Sequence, residues 1–128
     1  MYKEKLNDLM QAINSNGGSD AADDLKTLKD MCDSLRAYVD SVVAMESAIM
    51  VQRFRLDAAE YRELIERLDR GRRIEHDAAL VSIRVTNRIA ELYGQPHIFD
   101  CGGMDRTAIA DKHILPFVNE LYKERRKN

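Results

Sequence analysis

Tryptophan is absent from this sequence, aromatic residues amount to 6%, and there are only two prolines and two cysteines. β-Sandwiches draw on aromatic and β-branched strands, so this scarcity, beside 33% charged residues, favours long solvated helices. Cys32 and Cys101 are too few for a disulfide scaffold and share no metal-ligand spacing. They indicate a reducing compartment, with the cytoplasm as default. No stretch approaches the ~20 apolar residues needed to span a bilayer, and no apolar leader follows the charged start MYKEKLNDLMQ. No membrane partner is expected. The net charge of -2, from 20 basic and 22 acidic residues, provides no global field for nucleic acid or an anionic surface.

What is present is helical periodicity. The length of 128 residues fits one domain, so residues 1–128 are expected to form a single helical domain. Leu6, Leu9, Met10 and Ile13 repeat at helical spacing before SNGGSD breaks the run, and Ser19 or Asp20 is placed to cap the next helix. That helix is the spine. Leu25, Leu28, Cys32, Leu35, Val39 and Val42 recur at alternating steps of three and four, a heptad seam flanked by Met31, Tyr38, Met45, Val43 and Met50. Apolar flanks wider than a two-stranded coiled coil needs predict a multi-helix bundle.

Asp57, three residues before Glu60, predicts a helix start of the capping-box kind, and Gly71 suits the left-handed residue that ends a helix. A separate helix is then expected from about Arg72 to Tyr93, closed by Gly94. Its apolar residues form two stripes, Ile74, Ala78, Val81, Val85, Ile89 and Leu92 against Ala79, Ile83 and Ala90, as in a helix sandwiched between neighbours. After the loop GQPHIFDCGGM, Asp105 caps a last helix with Ala108, Ile109, Ile114, Phe117, Val118 and Leu121 inward, which Pro116 should kink or split.

Chemistry has one obvious candidate. CGGMDRT resembles the cysteine phosphatase loop, Cys-x5-Arg-Ser/Thr, and its MDRT is similar to the LDRT of lipid phosphatases of that class. The resemblance implies Cys101 as nucleophile and Arg106 as phosphate clamp. Only four residues separate them here, not five, and one residue changes which N–H groups and side chains converge on an oxyanion. A Gly-Gly turn with Asp105 as N-cap is the expected structure, with Arg106 facing solvent on the first helical turn. His76, His97 and His113 make no HExxH; His76-Asp77 resembles the dyad of HD phosphohydrolases without its further ligands. No metal or cofactor is expected, and no enzyme activity.

Glu46 falls on the spine's seam between Val42 and Ile49, where a carboxylate requires partners. Arg84 or Arg88 across the bundle, with Asn87 nearby, is the expected partner, and Arg53 the competitor. The arrangement reads as a polar ligand site or, preferably, as a register-fixing ion pair. Candidate binding residues are therefore Glu46, Arg53, Arg84, Asn87, Arg88, Asp105 and Arg106. Two basic clusters, Arg67, Arg70, Arg72 and Arg73 and then Lys123, Arg125, Arg126 and Lys127, lack the interleaved aromatics of a nucleic-acid surface.

Over about residues 70 to 125 the pattern R-x-x-N-R, a Gly-x-Pro-x-(Ile/Phe) loop, an Asp-Arg helix start and a terminal FVNELY resembles a family of small bacterial all-helical proteins of unknown function. It implies a helical fold and no activity. The sequence thus points to an all-α bundle of four or five helices built on one long heptad-patterned helix. Its expected role is non-enzymatic protein–protein interaction or regulation, with an unidentified protein partner and as a homodimer, since long apolar faces exceed what 128 residues cover alone. The alternatives are a nucleic-acid accessory protein using Arg67 to Arg73 and a phosphate-ester hydrolase using the loop from Cys101 to Arg106.

Overall fold

A computed structural model describes the backbone of residues 1–127 and the side chains of residues 1–123. Among them there is no strand. Helix α1 spans Tyr2–Asn16, α2 Ala21–Gln52 and α3 Ala58–Leu92; α4 (Arg106–Ile109), a π-helical turn (Ala110–Ile114) and α5 (Leu115–Lys127) run on as one continuous fourth helix. Gly17 turns the chain from α1 into α2, and a side chain there would collide with the Ile13 carbonyl and Ala21. Asp20 occupies the N-cap of α2, although its side chain accepts no capping bond.

Asp57 caps α3 as its sequence predicts, accepting from Glu60 N at 2.8 Å. Gly71 does not end that helix, which runs on to Leu92 as a single rod. The glycine is flanked by helix formers, and Asp69 grips Arg72 and Arg73 at 2.8 Å each, one turn on, across the weak point. The expected two helices are therefore one. Its end is a Schellman motif: Gly94 adopts φ +67°, Gly94 N donates to Glu91 O at 3.1 Å, and Gln95 N to Ala90 O at 2.8 Å.

Pro116 neither breaks nor splits the last helix. A proline cannot donate to the carbonyl four residues back and its ring crowds it, so the preceding turn widens, with Leu115 N reaching Ala110 O. The Lys112 carbonyl left over accepts instead from the Tyr2 hydroxyl of α1 at 2.8 Å.

One apolar core joins Leu6, Leu9 and Ile13 of α1, Leu28, Met31, Leu35 and Tyr38 of α2, Ala79, Ile83, Ile89 and Ala90 of α3, and Ile114, Phe117 and Val118 at the last helix. On α2 the flanking Met31 and Tyr38 are buried while Leu25, Cys32, Val39 and Val42 are half-buried, so the true core face is rotated slightly off the predicted seam. The helices differ greatly in length. α2 and α3, with 32 and 35 residues, are about 48 and 52 Å long against about 22 Å for the 15-residue α1. They pack as a hairpin that outruns the other helices: from Val39 to Ala78 no residue is buried.

Candidate functional site

The loop after α3 is held at the broad end of the bundle. Ile98 and Phe99, although flanked by helix-breaking residues, are 1% and 0% exposed and belong to the core. Asn87 on α3 grips the Phe99 backbone from both sides, its amide donating to Phe99 O at 2.8 Å and its oxygen accepting from Phe99 N at 3.3 Å. His113 in the π-helical turn meets Asp100 O through Nε2 and the Tyr2 hydroxyl through Nδ1, each at 2.9 Å. Burial, then the Glu120 carboxylate, pushes the Tyr2 phenol up, so it stays protonated and able to donate. Tyr2, Phe99 and Phe117 form a stacked and edge-on cluster with centroids 5.3 to 5.9 Å apart. Sequence periodicity missed this docking because its members lie far apart along the chain and two of them sit in a loop.

Beyond the docked aromatics, the loop from Cys101 to Arg106 is a turn and a cap. Met104 N donates to Cys101 O at 3.1 Å with Gly103 at φ +74°, and Asp105 caps α4 by accepting from Ala108 N at 2.8 Å. Burial, followed by the adjacent Asp100 carboxylate, raises the Cys101 thiol pKa, the opposite of what a nucleophilic thiolate requires. Arg106 does not turn to that thiol: it is exposed, as its place on the first helical turn predicts, and pairs with Asp77 on α3. Iodoacetamide labelling of Cys101 is accordingly expected to be slow at neutral pH, to accelerate only at alkaline pH, and to be indifferent to added phosphate.

The other sequence candidates do not converge. Tyr38 stacks on His76 with centroids 4.9 Å apart, which fixes the antiparallel level of α2 and α3. Glu46 lies eight residues beyond Tyr38, and Arg84 eight beyond His76 toward the opposite end, so they are separated by about 24 Å along the hairpin. The expected pairing of Glu46 with Arg84 or Arg88 is therefore not made. Glu46 is exposed: it lies on the stretch of the hairpin, from Val39 to Ala78, in which no residue is buried. Arg88 instead meets Glu91 at 3.6 Å, and Arg53, at the end of α2, lies over the Phe54 ring. Arg84 is exposed beside Asp77, Leu80, Val81 and Arg106. Asn87 is the loop clamp described above.

Near the Asp77–Arg106 pair, His76 carries a buried Nε2 with no hydrogen-bond partner among the described residues. Burial, then the charges of Arg106 and Arg72, lowers its pKa below the ordinary 6.5. The fold thus accepts the neutral ring. Its contribution to stability is complete above the ordinary value and is lost as pH falls through 6.5 toward the lower folded value. The melting temperature of the wild type is expected to decline over that interval, and His76→Phe, which keeps the ring stack, to decline less.

Of the basic residues, Arg72 and Arg73 are engaged by Asp69, and Arg67 and Arg70 share the hairpin's outer surface with Glu60 and Glu63. Arg125, Arg126 and Lys127 have side chains outside the described residues. No group of three or more metal-ligating side chains occurs among the described residues, and no described helix is long and apolar enough to cross a membrane.

Exposed apolar surface is concentrated on the hairpin. Val43 and Met50 of α2 and Phe54 in the turn that follows it are 52%, 78% and 85% exposed, and Ile74, Val81 and Leu92 of α3 are 68%, 57% and 79% exposed. The buried face of α3 is the stripe Ala79, Ile83 and Ala90 with Leu80, Thr86 and Ile89; the rest of the other stripe, Ile74, Ala78, Val81, Val85 and Leu92, faces out, so α3 is not sandwiched as its sequence predicts. No curated protein and no solved structure is similar enough to the chain to match it. A family model does match, over residues 2–127 and so over α1 and α2 as well as the C-terminal half: the chain belongs to the family described as "Protein of unknown function (DUF3232)".

Proposed function

We propose that this protein is a non-enzymatic helical interaction protein that works as a homodimer and meets its partner protein through the protruding α2–α3 hairpin. The observation that carries this reading is the hairpin's length beyond the bundle, with Val43, Met50 and Ile74 on it left uncovered by the described residues. Exposed large apolar residues gathered on one element mark interaction surfaces in soluble proteins. The raised thiol pKa of Cys101 and the diversion of Arg106 to Asp77 support the non-enzymatic half. Light scattering across micromolar concentrations is the direct test, with a mass near twice 14.7 kDa expected. A mass of 14.7 kDa throughout overturns the dimer. Phosphate-ester turnover that disappears in Cys101→Ser overturns the non-enzymatic half.

A further inference from the structure

Helix α3 spends one apolar stripe on the bundle and leaves the other outside. The outer positions are Ile74, Ala78, Val81, Val85, Arg88 and Leu92, all exposed, at steps of 4, 3, 4, 3 and 4. That spacing is the seam of a two-stranded coiled coil, laid on the face opposite the core. Two residues in the same register depart from the apolar row. Gly71, one heptad before Ala78, lies mid-helix with nothing near the position of a side chain, and Arg88 interrupts the apolar row.

Beside the seam runs a column at heptad spacing whose charges alternate: Arg70, Asp77, Arg84, Glu91. An alternating column is complementary to itself when a second helix runs the other way and is set between two of its members.

We propose that this outer stripe is the homodimer interface, with α3 of a second copy packed antiparallel so that Ile74 lies against the partner's Val85 and Ala78 against the partner's Val81. The two-fold axis then passes between Ala78 and Val81. Asp77, which also pairs with Arg106 of its own chain, faces the partner's Arg84, and Arg70 faces the partner's Glu91, whose own-chain contacts are Arg88 and His97, each twice by symmetry. Arg88 falls opposite the partner's Gly71, where the missing side chain leaves room for the long guanidinium stem. The competing registers are worse. A parallel pair sets Arg88 against its own copy, and a slip of one heptad toward the C-terminal end sets Arg84 against Arg84 and Asp77 against Glu91. The placement rests on the dimer proposed above and adds the face, the direction and the register.

A charge exchange tests it by sedimentation equilibrium. Arg84→Asp opposes two like charges at each end of the pairing, and the dissociation constant is expected to rise roughly 10- to 100-fold. Asp77→Arg combined with Arg84→Asp restores opposite pairs across the axis and is expected to recover most of the affinity. Both positions are exposed, and circular dichroism melts confirm folding of each variant. A dimer unaffected by Arg84→Asp, or not recovered by the exchange, overturns this placement while the dimer itself stands. A wild type that remains monomeric overturns both and leaves the stripe to a different protein.

Discussion

Phe99→Ala is expected to destabilise the protein by about 3–5 kcal/mol, a drop in melting temperature of roughly 10–20 °C. The ring is 0% exposed, stacked on Tyr2 at 5.6 Å and edge-on to Phe117 at 5.3 Å. Truncation leaves a cavity lined by rigid rings, which relax poorly, and so the cost belongs at the upper end of core substitutions. It also loosens α1, because Tyr2 rests on that ring while its hydroxyl serves the Lys112 carbonyl. Urea denaturation of wild type and variant measures the difference; a loss below about 1 kcal/mol contradicts the docking of this loop in the core.

Asn87→Ala is the second large effect, expected at about 2–4 kcal/mol. Among the described residues the amide is the one partner of both the N–H and the C=O of Phe99, at 3.3 and 2.8 Å, and alanine leaves both backbone groups unpaired beside the core. Asn87→Asp separates the two bonds, since a carboxylate still accepts from Phe99 N and cannot donate to Phe99 O. Its cost is expected between those of wild type and alanine or above, the carbonyl facing a negative charge. Because Phe99 and its clamp act on one loop, the double variant Asn87→Ala/Phe99→Ala is expected to cost less than the two losses added together. Strict additivity in the double variant contradicts the clamp.

Local signals in the sequence were reliable where the physics is local. Asp57 and Asp105 cap helices because each lies three residues before the N–H it accepts from, and Gly94 ends α3 because a left-handed residue there lets two orphan carbonyls be satisfied. The heptads of α2 named its apolar face. They did not say where the covering helices stop, and Glu46 consequently lies on a bare extension of the seam rather than in a core. Gly71 looked like a helix end because glycine's preference is weak and the ion pairs of Asp69 override it. The aromatic docking of Tyr2, Phe99 and His113 was illegible, since no periodicity links residues that are 14 to 111 apart along the chain.

The bond from Tyr2 to the Lys112 carbonyl spans 110 residues, and Tyr2 N reaches Glu120 Oε2 across 118. Closing so wide a loop costs conformational entropy before any contact rewards it, whereas α2 and α3 meet across a turn of a few residues. Helix α1 meets α2 across an equally short turn after Asn16, so its Ile13 end is held locally while its Tyr2 end, fastened to the turn before Pro116, is the contact expected to form last.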